Sequence, residues 1–171
     1  MRAIILTLLL LPFIAFAQRS NVFLHLTDAS GQQIKGDAAE KGFERANYRL
    51  SFTSGGKNNS QLNFTMNVGG ASADLKRAMG SGVLLLNGTL TVTQMSPSTG
   101  RPVILYTIKM ENIRVNNCSE SMGCNNVMTT ATVLASTRTG WTYYQTDATG
   151  RQAVSRKYGF DNESGKEWTN F

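Results

Sequence analysis

The chain has 171 residues, of which 41% are hydrophobic and only 16% charged, with 17 Lys and Arg against 11 Asp and Glu and a formal net charge of +6. That length suits one domain, or two small ones, and the low charged fraction is not that of a chain kept disordered by its own charge. With two Cys, one His and no long apolar run after residue 17, a multi-cysteine scaffold, a zinc cluster and a multi-span membrane protein are excluded.

Residues 1–17 read as a secretory signal. Arg2 and the α-amino group supply a positive start, residues 4–16 an apolar stretch, and Ala15-Phe16-Ala17 the small residues that signal peptidase requires. The stretch contains Pro12 and falls short of the roughly 20 residues that cross a bilayer, so stable membrane insertion is not expected. No Cys follows Ala17 to carry a lipid. Cleavage near Ala17 leaves residues 18–171 as a single domain, periplasmic or secreted.

From Asn21 onward the dominant period is two. Val22, Leu24 and Leu26 alternate with Phe23 and His25; Tyr48, Leu50 and Phe52 alternate within 43–52; Leu62, Phe64 and Met66 alternate with Asn63 and Thr65. Further strands are expected over 83–94, over 103–115 as one bent strand or two, over 127–144 and over 152–160, the last pair joined by the turn-forming Thr146-Asp147-Ala148-Thr149-Gly150. One segment breaks the period. Ser72-Ala73-Asp74-Leu75-Lys76-Arg77-Ala78-Met79-Gly80 predicts a short helix over about 72–79, with Ser72 as N-cap, charges ordered to suit the macrodipole and Gly80 beyond its end. About seven to nine strands and one short helix predict a mainly β fold, a compact antiparallel barrel or sandwich.

Both cysteines lie in the exported part, at Cys118 and Cys124, in a segment read as a loop. An oxidising destination favours a disulfide between them, two free thiols being the alternative. The ring so closed is small enough to add only roughly 2 kcal/mol, pinning a loop without creating the fold.

Catalysis has little to stand on. His25 lies in a strand, no Ser sits in a nucleophile elbow, no pair of acids has a recognisable spacing, and three or four zinc ligands cannot be assembled, so no catalytic residue, metal or cofactor is expected. Gly69-Gly70 and Gly80-Ser81-Gly82 lack the Lys of a phosphate loop and read as turns. The basic residues, among them Arg45, Arg49, Arg101, Arg114 and Arg156, are scattered without interleaved aromatics, which argues against nucleic acid as a partner. Glycosylation sequons begin at Asn58, Asn63, Asn87, Asn117 and Asn162, as expected by chance in an Asn-rich chain.

Several strings, in order, resemble the Hcp family, the tube protein of bacterial type VI secretion systems. Ile34-Lys35-Gly36-Asp37 resembles its Ile-x-Gly-Glu/Asp loop, and Tyr48-Arg49-Leu50-Ser51-Phe52 its second strand. Phe64-Thr65 followed by Ala71-Ser72-Ala73-Asp74-Leu75 is similar to the strand that runs into its helix. Gly88-Thr89-Leu90-Thr91-Val92, the run from Tyr106 to Val115, Tyr143-Tyr144 and Tyr158-Gly159-Phe160-Asp161 resemble its later strands. The resemblance spans residues 22–166. It implies a β-barrel with a flanking helix that self-assembles into a homo-hexameric ring around a channel, with secretion-system or effector proteins as further partners and no enzymatic activity. Such a ring is built from heterologous contacts closed by rotation and works by its geometry. Two features depart from the family. Its tube subunits carry no signal peptide, and its long loop between the second and third strands, which reaches the next ring, is here only 53–61, with Ser54, Gly55, Gly56, Lys57, Asn58 and Asn59 as the candidate stacking loop. The alternative reading is an exported β-sandwich module that binds a surface glycan or protein through Trp141, Tyr143, Tyr144 and Trp168, residues that in a strand are more often core.

Overall fold

The computed structural model describes residues 20–48, 50–55, 60–96, 99–123, 126–147 and 149–171. The signal segment, Arg49, Cys124 and four of the six candidate stacking residues, Gly56, Lys57, Asn58 and Asn59, therefore lie outside the described residues. In chain order the elements are β1 (Ser20–Thr27), β2 (Asn47–Tyr48), β3 (Ser51–Ser54), β4 (Gln61–Asn67), α1 (Gly70–Ser81), β5 (Leu85–Met95), β6 (Pro102–Met122), β7 (Met128–Thr146), β8 (Gln152–Asp161) and β9 (Lys166–Glu167).

The strands pair antiparallel in the order β2-β1-β5-β6-β7-β4-β3, with β8 and then β9 branching from β7. Because β2 and β3 are successive pieces of one stretch of chain, the two ends of that order meet and the sheet closes into a barrel, which leaves no long edge on that side. Strand β7 makes this possible by changing partner midway. Its residues 129–135 pair with β4, and its residues 138–146 pair with β8. At the switch, Asn162 Nδ2 donates to the carbonyls of Ser136 and Thr137 and the Ser136 amide donates to the carbonyl of Ser60, so the backbone groups freed by the exchange are satisfied.

The period-two pattern becomes the core. Leu24 and Leu26 of β1, Leu62, Phe64 and Met66 of β4, Leu90 of β5, Ile108 and Ile113 of β6 and Leu134 of β7 are all buried in one cluster, which Leu75 of α1 closes from outside the sheet. Leu90 pairs directly with Ile108. Phe23, on the opposite face of β1, is also buried, beneath Phe43 at 4.1 Å between ring centres.

That contact explains one correction. The alternation predicts a strand over 43–52, but among the described residues of that stretch only 47–48 and 51–52 lie in strands, because residues 36–46 fold back as a closed loop over β1. Gly36 and Ala38 donate to the carbonyls of Arg45 and Ala46, and Arg45 donates back to Ala38. A Cβ on Gly36 would collide with the Ala46 carbonyl, so the Ile-x-Gly motif is a close backbone approach.

The helix also differs from expectation. It runs Gly70–Ser81 with Gly69 as N-cap and Gly82 as the left-handed cap, φ 67°, in place of Ser72 and Gly80. Ser72 stands at the third helical position, where its Oγ accepts from the Gly69 amide at 3.1 Å and pairs with Thr130 Oγ1 at 2.8 Å. No acid lies in the first turn and no base in the last, so the macrodipole does not set its bounds. Finally, β6 is a single strand that continues through Cys118 to Met122, against the loop expected there. The ladder with β7 carries it: Cys118 faces Thr132 and Met122 faces Met128.

Candidate functional site

Among the described residues no group of three His, Cys, Asp or Glu side chains is placed to hold a metal. His25 is half-buried on β1, where its Nδ1 lies 3.0 Å from Gln33 Nε2. An amide nitrogen can only donate, so Nδ1 accepts and the ring is neutral. Burial lowers the imidazole below its ordinary value, Glu44 only partly opposing this. His25 thus anchors the loop after β1. Cys118 is buried as a free thiol that accepts from Thr132 Oγ1 at 3.8 Å. The Gly123 amide donates to the Val127 carbonyl, so the hairpin ladder runs five residues past Cys118, roughly 16 Å at the rise of a strand. The disulfide expected between Cys118 and Cys124 falls on a residue, Cys124, outside the described ones.

Surfaces, in place of clefts with convergent chemistry, are what the fold presents. The first is the wing made by the outer half of β7 with β8. Gln152 to Tyr158 are seven consecutive exposed residues, so both faces of β8 are open there. On the face continuous with the core, Trp141 stacks on Tyr158 at 5.8 Å and Tyr143 meets Tyr106 at 5.7 Å, with Tyr143 and Tyr158 about half exposed. On the other face the chain end returns as a strap. The Phe171 ring occupies the space that a Cβ at Gly140 or Gly159 would take, Trp168 lies 4.8 Å from it, and Lys157 Nζ donates to the Phe171 carbonyl. At the inner edge of the wing, the Gln152 side chain donates to the Ile104 carbonyl at 2.6 Å and accepts from its amide at 3.2 Å, standing in for a ladder rung where β6 and β7 part.

Two further surfaces flank α1. One is the outer end of the β6–β7 hairpin, where Val68, Met122, Val127 and Met128 are exposed together. The other is a cleft of about 500 Å³ between the turn after β1, the end of α1 and the start of β5. One wall of that cleft is fixed by Asp28, whose Oδ1 accepts from the amides of Ser30 and Gln32 and from Ser30 Oγ. The same turn recurs at the tip of the wing, where Asp147 Oδ1 accepts from the amides of Thr149 and Arg151 and from Thr149 Oγ1. These hydrogen bonds hold both carboxyls below their ordinary value. The shared spelling Asp-Ala-Ser/Thr-Gly, with Gly31 and Gly150 at φ near 80°, is visible in the sequence and signals both turns.

Of the four aromatic residues that the sequence offers as a binding platform, Trp141 and Trp168 are buried at 9% exposure, Tyr144 is half-buried and only Tyr143 is open. The four are not brought together on one exposed face. Of the candidate stacking loop, Ser54 ends β3, and the Gly55 amide donates to the Gln61 carbonyl at 3.1 Å, closing a hairpin at the ends of the strands. The clefts and the apolar hairpin end are not visible in the sequence, because Met122 and Met128 lie in segments whose pairing only the assembled sheet reveals.

The family model described as type VI secretion system effector, Hcp, matches residues 23–143. Among solved structures, the chain is similar to Hcp1 from Salmonella typhimurium, with a TM-score of 0.68 and 16% identity over 87% of this chain and 99% of that one. It is similar also to the secreted protein Hcp3 from Pseudomonas aeruginosa, with a TM-score of 0.62 and 15% identity over 84% of this chain and 98% of that one. A mutant Hcp1 from E. coli EAEC 042 aligns with a TM-score of 0.61 and 20% identity over 78% of this chain and 96% of that one. No curated protein matches the chain in sequence. The structural likeness, at such low identity, shows a shared fold, and the family model covers most of the chain from β1 into the outer half of β7. This chain belongs to the Hcp family of type VI secretion proteins.

Proposed function

We propose that residues 18–171 form a structural subunit of the type VI tube kind that assembles into closed rings of six after residues 1–17 have been removed. The observation that carries this reading is the family match over residues 23–143, which takes in the barrel strands and α1 together. A barrel with open apolar surface on its wing and beside its helix supports it, because such surfaces on a soluble chain mark contacts with other proteins. A ring acts by enclosing a channel, so this role asks for no catalytic group and no cofactor. Secretion-system and effector proteins are the further partners that role implies. The competing reading as a glycan-binding module loses its two Trp residues to the interior. Among the described residues no helix is long and apolar enough to cross a membrane.

The test is the mass of the exported protein. We expect an N-terminus at or near Gln18 and a solution mass of six chains by light scattering. Met1 intact on exported material would overturn the cleavage, and a monomer at high concentration would overturn the ring.

A further inference from the structure

The wing leaves one long strand edge open. Strand β8 pairs with β7 from Gln152 to Asp161, whereas on its far edge β9 pairs with it at Phe160 and Asp161 alone. The Trp168 amide adds one more rung by donating to the Gly159 carbonyl at 3.0 Å, and the chain then leaves the edge to lay the Phe171 ring across the face. From Gln152 to Tyr158, no other strand among the described residues takes up that edge. Rungs alternate sides along an antiparallel strand, so the amide and carbonyl of Lys157 point the same way as those of Gly159, outward. The open stretch makes about 23 Å of template at the rise of a strand, and every residue in it is exposed.

We propose that this edge of β8, Gln152–Tyr158, is a docking strand for an extended acidic segment of another protein, which continues the pairing that β9 begins. Docking of this kind takes its affinity from main-chain hydrogen bonds and its selectivity from the side chains beside them, and a ring subunit and a monomer offer it alike. Charge selects the occupant. Arg151 stands at the start of the edge and Arg156 within it, both exposed, and from Gln152 to Phe160 the chain has no Asp or Glu. The acids at either end are engaged, since Asp147 Oδ1 accepts from the amides of its own turn and Asp161 Oδ2 accepts from Arg138 Nε at 3.0 Å. Among the described residues neither Arg151 nor Arg156 stands in an ion pair. By register Arg156 opposes Tyr143 and lies on the aromatic face, while Val154 opposes Tyr144 on the other face and is 53% exposed. An added strand that alternates acids with β-branched residues therefore meets Arg156 on one face and Val154 on the other. The same features disfavour a second β8 as the occupant. Two such strands laid edge to edge bring cations together, and the shift of register opposite Ser155 breaks the ladder they would share.

The experiment uses the mature chain and a labelled, capped peptide of alternating Glu and Val, about as long as the open edge, with fluorescence anisotropy as the measure of binding. The peptide is expected to bind and to slow hydrogen exchange at the Lys157 amide, and the same peptide N-methylated throughout, which keeps its charge and loses its amide donors, should bind roughly tenfold more weakly or not at all. Arg156→Glu should weaken binding of the Glu peptide roughly fivefold and improve that of a peptide with Lys in place of Glu. Arg151→Glu repeats the measurement should that variant fail to fold. Equal binding of the N-methylated peptide would mean attraction by charge alone and overturn the docked strand. No binding, or equal binding of the Lys peptide by the unaltered protein, overturns it as well. Light scattering on the same samples keeps the ring reading separate. A change in the number of associated copies in Arg156→Glu assigns the edge to a contact between copies and overturns the proposal, whereas an unaltered protein that is monomeric and binds the peptide overturns the ring alone.

Discussion

At the scale of single residues, alternation along each strand decides what is inside. Leu90 and Ile108 face each other across β5 and β6 with 0% and 1% of their surface exposed. Truncating either to Ala removes buried methyl groups and leaves a cavity the barrel cannot fully collapse, so each variant should lose about 2–5 kcal/mol in urea unfolding. Because the two side chains are neighbours, the double variant should depart from the sum. Unchanged stability in both would mean a register one residue away, since a slip of one exchanges the faces. The turn carboxylates make a second prediction. Asp28 and Asp147 are held below the ordinary carboxylate value by hydrogen bonds, first those from Ser30 and Thr149 respectively. A depressed folded-state value means that the unfolded chain binds the proton more readily. The contribution is therefore present above the unfolded value and is lost as pH falls through it and toward the folded one. Melting temperature followed from pH 7 to 3 should drop below pH about 5, and less steeply in Asp147→Asn than in the unaltered protein; parallel curves would remove Asp147 from the account.

At the scale of elements, what was legible depended on whether an element is specified by its own residues or by its neighbours. The strands β1, β4 and β8 were legible because their alternation or bounding turn residues lie within the segment. The existence of α1 was legible for the same reason, through Leu75 and Ala78 on one face, yet its start was not. Ser72 is a favoured cap, and nothing local shows that the extended Gly69 takes that place while Ser72 reciprocates from the third position. Ser72 is therefore doubly engaged, to the Gly69 amide and to Thr130, and buried. Ser72→Ala should cost about 1–2 kcal/mol, measured by chemical denaturation, whereas Asp74→Ala on the exposed side of the helix should change little. Equal effects would mean that charge, not capping, holds the helix. The last turns of β6 show the opposite limit. Asn117-Cys118-Ser119-Glu120-Ser121-Met122 has few strand formers and reads as a loop, but Thr129 to Thr132 of β7 offer it a complete ladder, and pairing prevails over propensity.

For the whole molecule, the order of motifs was enough to place the chain in its family and the alternation enough to expect a barrel or sandwich, while the way the sheet closes was not legible, because the alternation over 43–52 marks one strand and does not show that it divides into β2 and β3 with different partners. The same short pieces bear on whether rings would stack. Ser54 pairs with Leu62 and the Gly55 amide bonds to Gln61, so only residues 56–60 lie beyond the last rung of the β3–β4 hairpin. Their sequence, Gly56-Lys57-Asn58-Asn59-Ser60, offers no apolar anchor. Ordering such a loop against another ring would cost backbone and side-chain entropy on every residue and bury little apolar area in return. The mature protein should accordingly form discrete rings that stack poorly. Light scattering joined to negative-stain imaging separates the outcomes: single six-fold rings are the expected result, long tubes would show that stacking uses a surface other than this loop, and a monodisperse monomer would remove the ring itself.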